Sequence, residues 1–262
     1  MIKIHNKVAL ANVVGHVFGD GSMSQYLAII YTNTKRELID DFINNFNIAF
    51  NFPIERIKTH IQKHDKNKDC FVVTAYSRPI YLFLGENFFP KYKKSIENSL
   101  PFKTSKEKNA FLQAIFDDDG SVSKKGTISI TQNVEVINYI SKLLNEFGIK
   151  NKQYLIKNKI INKNYPALRI SKWDNKKFLK HIGFIHPAKQ ERLKNNILTL
   201  PPSVVIDNRV WDKKMKIMKI KCNHCGYIWK TKSKLLNITC PSCLKKIKVH
   251  QKNGGMKDVK DN

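Results

Sequence analysis

Two groups of residues in this chain have the types and spacing to do chemistry. The first is a pair of aspartates. Residues 13–22 and 112–121 each form an apolar, helix-like run that ends in Asp-Gly-Ser, which places Asp20 and Asp119 99 residues apart. The second is a cysteine quartet. Cys222 and Cys225, then Cys240 and Cys243, are two C-x2-C pairs with fourteen residues between them. Four thiolates at this spacing fit one tetrahedral Zn²⁺, and two tight knuckles with a hairpin between them make a zinc ribbon. A closed site of four sulfurs leaves no position for substrate, so this zinc is expected to be structural. His224, inside the first knuckle, is expected to face solvent. The fifth cysteine, Cys70, sits in an apolar stretch and is expected to be a buried small hydrophobe. Cysteines grouped for metal point to a reducing compartment rather than a disulfide framework.

The elements that would position the aspartates repeat along the chain. After the first Asp-Gly-Ser come a strand-like stretch at 25–32, a helix near 35–47, strand-like stretches at 54–63 and 69–76, and a helix near 78–84. After the second come a strand-like stretch at 126–131, a helix near 134–147 stopped by Gly148, strands at 152–160 and 165–171, and helices near 176–181 and 189–198. Pro101 and Pro201-Pro202 punctuate the ends of the two halves. This order divides the chain into halves at 1–100 and 101–202, a zinc-ribbon module at 203–250 and a flexible tail at 251–262. Two equivalent halves suggest a pseudo-two-fold molecule.

The two runs, Val13-Val14-Gly15-His16-Val17-Phe18-Gly19-Asp20-Gly21 and Leu112-Gln113-Ala114-Ile115-Phe116-Asp117-Asp118-Asp119-Gly120, resemble two copies of the LAGLIDADG motif. With the repeat order, the resemblance covers residues 7–200. It implies an α+β fold in which two αββαββα halves present saddle-shaped antiparallel sheets, with the zinc ribbon appended. It also implies a second strand between each motif helix and the next helix, which pattern alone does not reveal. Members with two copies act as monomers. The implied activity is that of a homing endonuclease, a Mg²⁺-dependent hydrolase that makes a double-strand break at a long DNA site, leaves short 3′ overhangs and mobilises an intron.

The residues supply a physical logic for that chemistry. Gly15 and Gly19 share one helix face at i, i+4, with Ala114 in the place of Gly15 in the second copy, so two backbones could approach closely. Such a crossing would bring Asp20 and Asp119 together. Neighbouring carboxylates repel unless a cation lies between them, and hard oxygen ligands suit Mg²⁺. Metal held there would activate water and stabilise the leaving oxygen of an in-line phosphodiester attack. By resemblance, Gln132 matches a position that orients active-site water, with Asn33 as its counterpart. Lys189 matches a lysine near the scissile phosphate, with Lys91 as a loose first-half partner. Three residues depart from the pattern. Phe18 replaces the motif's first acid, His16 replaces an apolar residue, and Asp118 puts a charge where a small residue is expected. Asp118 would either loosen the crossing or join the metal site.

The strands read as a surface for DNA. Alternation over 54–63 places Arg56, Lys58, His60 and Gln62 on one face and Ile57 and Ile61 on the other. Thr127 and Ser129 face away from Ile128 and Ile130, and Arg169 repeats the theme. Arg and Gln can read base edges while Lys meets phosphates. The chain carries 47 Lys and Arg against 21 Asp and Glu, a net charge of +26. Such an excess favours a polyanionic partner, and double-stranded DNA is the expected one. Lysines crowd the ribbon as well (Lys213, Lys214, Lys216, Lys219, Lys221, Lys245, Lys246 and Lys248), which suggests an auxiliary DNA grip.

No stretch is apolar for the roughly 18 residues a membrane span requires. The run at 8–18 is broken by Asn12 and His16 and does not end in a signal-peptide cleavage site. The expected location is inside the cell, in the cytoplasm, nucleoid or another reducing compartment that holds DNA. An intein is not expected, since the chain opens on Met1 and ends Asp261-Asn262 with no penultimate His. Two further readings use the same scaffold: an intron maturase that binds intron RNA, and a DNA-binding regulator that does not cleave. A transcription or translation accessory protein would explain the ribbon alone. Retention of both Asp20 and Asp119 favours the nuclease.

Overall fold

The computed structural model describes residues 2–63, 69–89, 100–158, 163–198, 211–212, 217–222, 224–231 and 237–248. Lys91, Pro201-Pro202, Lys213, Lys214, Lys216, residues 64–68 and 159–162 and the segment from Gln251 lie outside the described residues. The chain divides into two units, Met1–Leu200 and Pro201–Asn262.

The first unit begins with α1 (Lys7–Phe18), β1 (Gly21–Ser24), β2 (Ala28–Asn33), α2 (Arg36–Phe50), β3 (Ile57–Gln62), β4 (Cys70–Tyr76) and α3 (Arg78–Asn87). It continues with α4 (Ser105–Asp118), β5 (Gly120–Val122), β6 (Ile128–Thr131), α5 (Val134–Glu146), β7 (Asn151–Asn158), β8 (Lys163–Ile170), α6 (Asn175–His181) and α7 (Pro187–Leu198). Each half contributes one four-stranded antiparallel sheet, in the orders β1-β2-β4-β3 and β5-β6-β8-β7. The topology is thus repeated strand for strand, and the fold is the α+β pair of αββαββα halves that the motif copies imply.

The two motif helices start on side-chain caps. Asn6 Oδ1 accepts the backbone N–H groups of Val8 and Ala9 at 2.9 and 3.0 Å. Thr104 Oγ1 accepts the N–H of Glu107 at 3.2 Å, while the Glu107 carboxylate accepts the N–H of Lys103 at 2.8 Å. From Ala9 to Phe18 every residue of α1 is buried. A helix buried all round lies at the centre of a domain rather than on its surface, and α1 packs against both α2 and α4. Aromatic rings continue the core across the halves: Phe18 meets Phe111 edge-on with centroids 6.0 Å apart.

Local chemistry moves some elements from their sequence expectation. The strands β1 and β5, which the resemblance implies, begin at the glycine after each aspartate and are four and three residues long. Pro53 diverts 54–56 into a 3-10 turn, so the strand begins at Ile57 and Arg56 leaves its alternation. Ile61 is 57% exposed instead of facing the core, because it lies towards the far end of the outer strand β3. Cys70 is buried, as its apolar neighbours suggest.

In the second unit, β9 (Trp211–Asp212), β10 (Ile217–Lys221) and β11 (Ile228–Thr231) form one small sheet, and β12 (Asn237–Thr239) and β13 (Lys246–Lys248) form another. One C-x2-C pair lies between β10 and β11, the other between β12 and β13. Both turns close the same way. Gly226 N–H returns to the Cys222 carbonyl at 2.8 Å, and Leu244 N–H returns to the Cys240 carbonyl at 2.9 Å. Gly226 and Leu244 are both left-handed, with φ of 71° and 59°. Among the described residues no helix is long and apolar enough to cross a membrane.

Candidate active site and nucleic-acid interface

The two motif helices cross through their small residues. A Cβ on Gly15 would lie 2.6 Å from the Phe111 carbonyl and 2.8 Å from the Ala114 Cβ. A Cβ on Gly19 would lie 2.5 Å from both the Cβ and Oδ2 of Asp118. At this approach the helix ends, and the acids that follow them, meet at one place.

One amide side chain is hydrogen-bonded to each of the two acids there. Asn33 Nδ2 donates to Asp20 Oδ2 at 2.9 Å and to Asp118 Oδ1 at 3.3 Å. Gln132 Nε2 donates to Asp119 Oδ2 and, at 3.2 Å, to the Phe18 carbonyl at the end of the other motif helix. Asn33 and Gln132 therefore hold equivalent places, one amide beside each acid. Asp20 is exposed and Asp119 half-buried. Two carboxylates, each oriented by an amide donor and converging from paired helices, form a set of hard oxygen donors that fits Mg²⁺.

Lys189 lies at the same tip but its ammonium is already engaged. It donates to the carbonyls of Phe116 and Asp118, each at 3.3 Å, and to that of Asp117. These are the last carbonyls of α4, where a helix end favours a cation. Burial lowers the Lys189 pKa, against the pull of Asp117, Asp118, Asp20 and Asp119. Its charge thus lies in the field of both candidate acids while its donors hold the helix end. Asp117, the place of Phe18 in the second copy, accepts the N–H groups of Ile185 and His186 at 2.9 Å each. Burial pushes its carboxyl up to about 6, against those donors.

The residues that sequence reasoning did not connect are the most telling. Asp118 neither loosens the crossing nor stands unpaired. Its fully buried side chain meets His16 Nδ1 at 3.0 Å. The other ring nitrogen of His16 meets Asp41 Oδ2 at 3.1 Å. Burial alone would depress the His16 pKa, but Asp118 and Asp41 outweigh it and raise it to about 10, which favours the charged ring. Tyr31 donates its hydroxyl to Asp118 Oδ1 at 2.7 Å. Burial and the Asp118 charge push that phenol well above its ordinary range. Asp41 also accepts from Asn12 at 2.8 Å. The available signal was that His16 and Asp118 both depart from the motif and have opposite charge.

The sheets place the remaining candidates on one face per half. Register aligns Lys152, Arg169, Ser129 and Ser121 across the second sheet. Arg169 stacks its guanidinium 5.8 Å from the Tyr154 ring, and Ser121 and Ser129 share a hydroxyl hydrogen bond at 3.0 Å. Thr127 lies in the β5–β6 turn, where its N–H donates to Ser123 Oγ at 3.0 Å. In the first sheet the equivalent row is Lys58, Thr74, Ile30 and Ser22. Lys58 lies 5.5 Å over the Tyr76 ring, and His60 and Gln62 follow it on the same face of β3. This half is less basic than its partner, since Ile30, Val72 and Thr74 occupy its middle strands. Arg56, off the strand, stacks 5.2 Å from the Phe52 ring.

In the second unit the four Sγ atoms lie within 4.8 Å of one another. The pairs Cys222–Cys243 and Cys225–Cys240 are 3.6 and 3.7 Å apart. A tetrahedron with metal–sulfur bonds of about 2.3 Å sets its sulfurs about 3.8 Å apart. The cage fits a zinc ion.

Residues 106–183 match the LAGLIDADG-like domain. The fold is shared with solved structures. Mesophilic variants of the homing endonuclease I-DmoI align with a TM-score of 0.50 and 17% identity, over 72% of this chain and 98% of theirs. The homing endonuclease I-WcaI, bound to its DNA recognition sequence, aligns with a TM-score of 0.55 and 18% identity, over 73% of this chain and 88% of that one. Full-length DUF199/WhiA from Thermatoga maritima aligns at 0.51 and 16% identity, over 77% of this chain and 62% of that one. At these identities the likeness is one of fold. A curated relative, the replication factor C small subunit of Methanocaldococcus jannaschii, is 30% identical over 188 residues, which are 70% of this chain and 10% of that protein. The chain spans about a tenth of that relative's length.

Proposed function

Because the chain carries a LAGLIDADG-like domain and the homing-endonuclease fold through both halves, we propose that it is a site-specific endonuclease that cuts both strands of a long DNA target. The observation that carries this reading is the matched pair of amides at the crossing, Asn33 beside Asp20 and Gln132 beside Asp119. Asp20 and Asp119 would hold Mg²⁺. When bound, the metal supplies an activated water and charge stabilisation at the leaving oxygen. The chain's own groups do the rest. Asn33 and Gln132 fix the carboxylates, and Lys189 adds positive charge beside them while holding the end of α4. The basic sheet faces seat the duplex, with Arg169 and Gln62 available to base edges and Lys58 and Lys152 to phosphates. Zinc in the four-cysteine cage would stabilise the small unit, whose lysines add electrostatic grip on DNA.

A non-cleaving DNA-binding protein on the same surface is the second reading, since fold alone does not decide function and DUF199/WhiA shares this one. The presence of an acid at both helix ends favours cleavage. The deciding experiment incubates a randomised duplex library with the protein in Mg²⁺ and sequences the cut ends. Recurrent paired cuts in one sequence are expected. Asp20→Asn or Asp119→Asn should abolish them while leaving binding to the selected site within a few-fold of wild type. Selective binding with no cuts would establish the second reading.

A further inference from the structure

Asp118 touches the Asp20 side of the site by two routes. Its Oδ2 is 3.4 Å from the backbone N–H of Asp20. Its Oδ1 accepts from Asn33 at 3.3 Å, and the same amide donates to Asp20 Oδ2 at 2.9 Å. The carboxylate is fixed in turn by Tyr31 and by His16. His16 is anchored from behind by Asp41, which Asn12 and Asn45 hold at 2.8 and 3.0 Å. We propose that Asp118, braced by His16, is a positioning residue that sets the geometry of Asp20 and Asn33 for metal binding.

The other copy is built differently. The place equivalent to Asp118 is Gly19, and Asp119 is oriented instead by Gln132, which also ties to the Phe18 carbonyl. The two acids thus differ in one respect: beside the amide that each receives from its own half, Asp20 has at its backbone N–H a carboxylate reaching across the crossing. His16 and Asp118 interlock. Removing one leaves the other buried and short of a partner, although Asp41 still faces His16, and this is more damaging than removing both.

The inference rests on Asp20 as a metal-bearing acid, as proposed above. Its test uses the full zinc-loaded chain with Asp118→Ala, Asp118→Asn, His16→Leu and the double variant His16→Leu/Asp118→Ala. Mn²⁺ binding is titrated by paramagnetic resonance in the presence of a nonspecific duplex, with Asp20→Asn measured alongside to account for ions on the DNA. Thermal midpoint and plasmid nicking are read on the same samples. Removing a group that orients a metal ligand costs about 10- to 100-fold in metal affinity, and Asp118→Ala is expected in that range. Asp118→Asn, which still accepts from Tyr31 and Asn33, should lose less. The double variant should regain the thermal stability that each single variant loses, but not the Mn²⁺ affinity.

Folded Asp118→Ala with Mn²⁺ affinity within about twofold of wild type would overturn the inference, being far below that range. So would a double variant that regains affinity together with stability, since the pair would then serve packing alone. A wild-type chain that binds Mn²⁺ no better than Asp20→Asn overturns it as well. Binding that depends on Asp20 and Asp118 without any nicking would defeat the nuclease reading and leave the positioning role standing.

Discussion

Gly19 and Asp118 occupy equivalent places in the two motif copies, and at the crossing each faces the other. One has no side chain, and the other fills the space with a carboxylate that would touch any added Cβ at 2.5 Å. Gly19→Ala should therefore force the helices apart or displace Asp118. Overpacking of this kind costs about 1–3 kcal/mol, read as a lower urea midpoint. An unchanged midpoint would mean that the helices do not pack this closely in solution.

The buried imidazolium gives the stability a pH signature. His16 titrates near its ordinary 6.5 when unfolded and at about 10 when folded. Its contribution is complete below the unfolded value and is lost as pH rises through the folded one. The groups facing it are Asp118, Asp41 and Tyr31, and Tyr31 is pushed further up, so it stays a hydroxyl donor. Between about pH 6.5 and 10, wild type should lose stability more steeply than His16→Leu/Asp118→Ala, which lacks the linked proton. Parallel curves in chemical denaturation would show that the ring is neutral.

On the sheets, position decides which basic residues matter for DNA. Lys58→Ala should weaken binding and lower the salt slope by about one unit if it meets a phosphate. Arg169→Ala should cost about 1–3 kcal/mol and relax preference at one base if it reads an edge. Arg56, turned off the strand onto Phe52, should matter less than either. Filter binding across salt concentrations separates the three, and equal losses for all would contradict this division.

The ribbon makes a separate prediction. Cys222→Ser with Cys225→Ser should release zinc to a chromophoric chelator and unfold the small unit, while the thermal midpoint of residues 1–200, which have their own core, stays unchanged. Truncation after Val210 should weaken DNA binding through lost lysines and preserve cleavage at saturating DNA. A truncated chain that binds normally but cannot cut would place the ribbon in the reaction. Leu244→Gly should tighten the second knuckle, because Gly adopts its left-handed φ of 59° without steric cost.

The repeat was legible because Asp-Gly-Ser recurs in both halves at the end of an apolar run, and the repeated strand order follows from it. The short β1 and β5 were not legible by pattern, since three or four residues carry too little alternation. Pro53 sits just ahead of the residues wrongly assigned to a strand, and its fixed φ is the reason the chain turns there. At the site, Gln132 and its counterpart Asn33 were placed by resemblance. The His16–Asp118 contact could not, because it joins residues 102 apart whose types look like errors when each is read within its own motif. Asp41 and Tyr31 were silent for the same reason: on an amphipathic helix and an apolar strand, nothing local marks them as partners of a distant charge. Lys189 was located by resemblance, but its three carbonyl partners are visible only in three dimensions.

The pairing of His16 with Asp118 also bears on how such a chain can be rebuilt. Its halves descend the same topological stair and invite exchange with counterparts from other two-motif proteins. Yet each half carries one charge of a lock whose other charge is in its neighbour. A graft of the second half that brings a small residue at position 118 takes from His16 one of its two carboxylates, and a graft of the first half that brings an apolar residue at position 16 takes from Asp118 its imidazole partner. Chimeras of this protein need both sites recoded together, so the unit of inheritance at the crossing is the pair, not the motif.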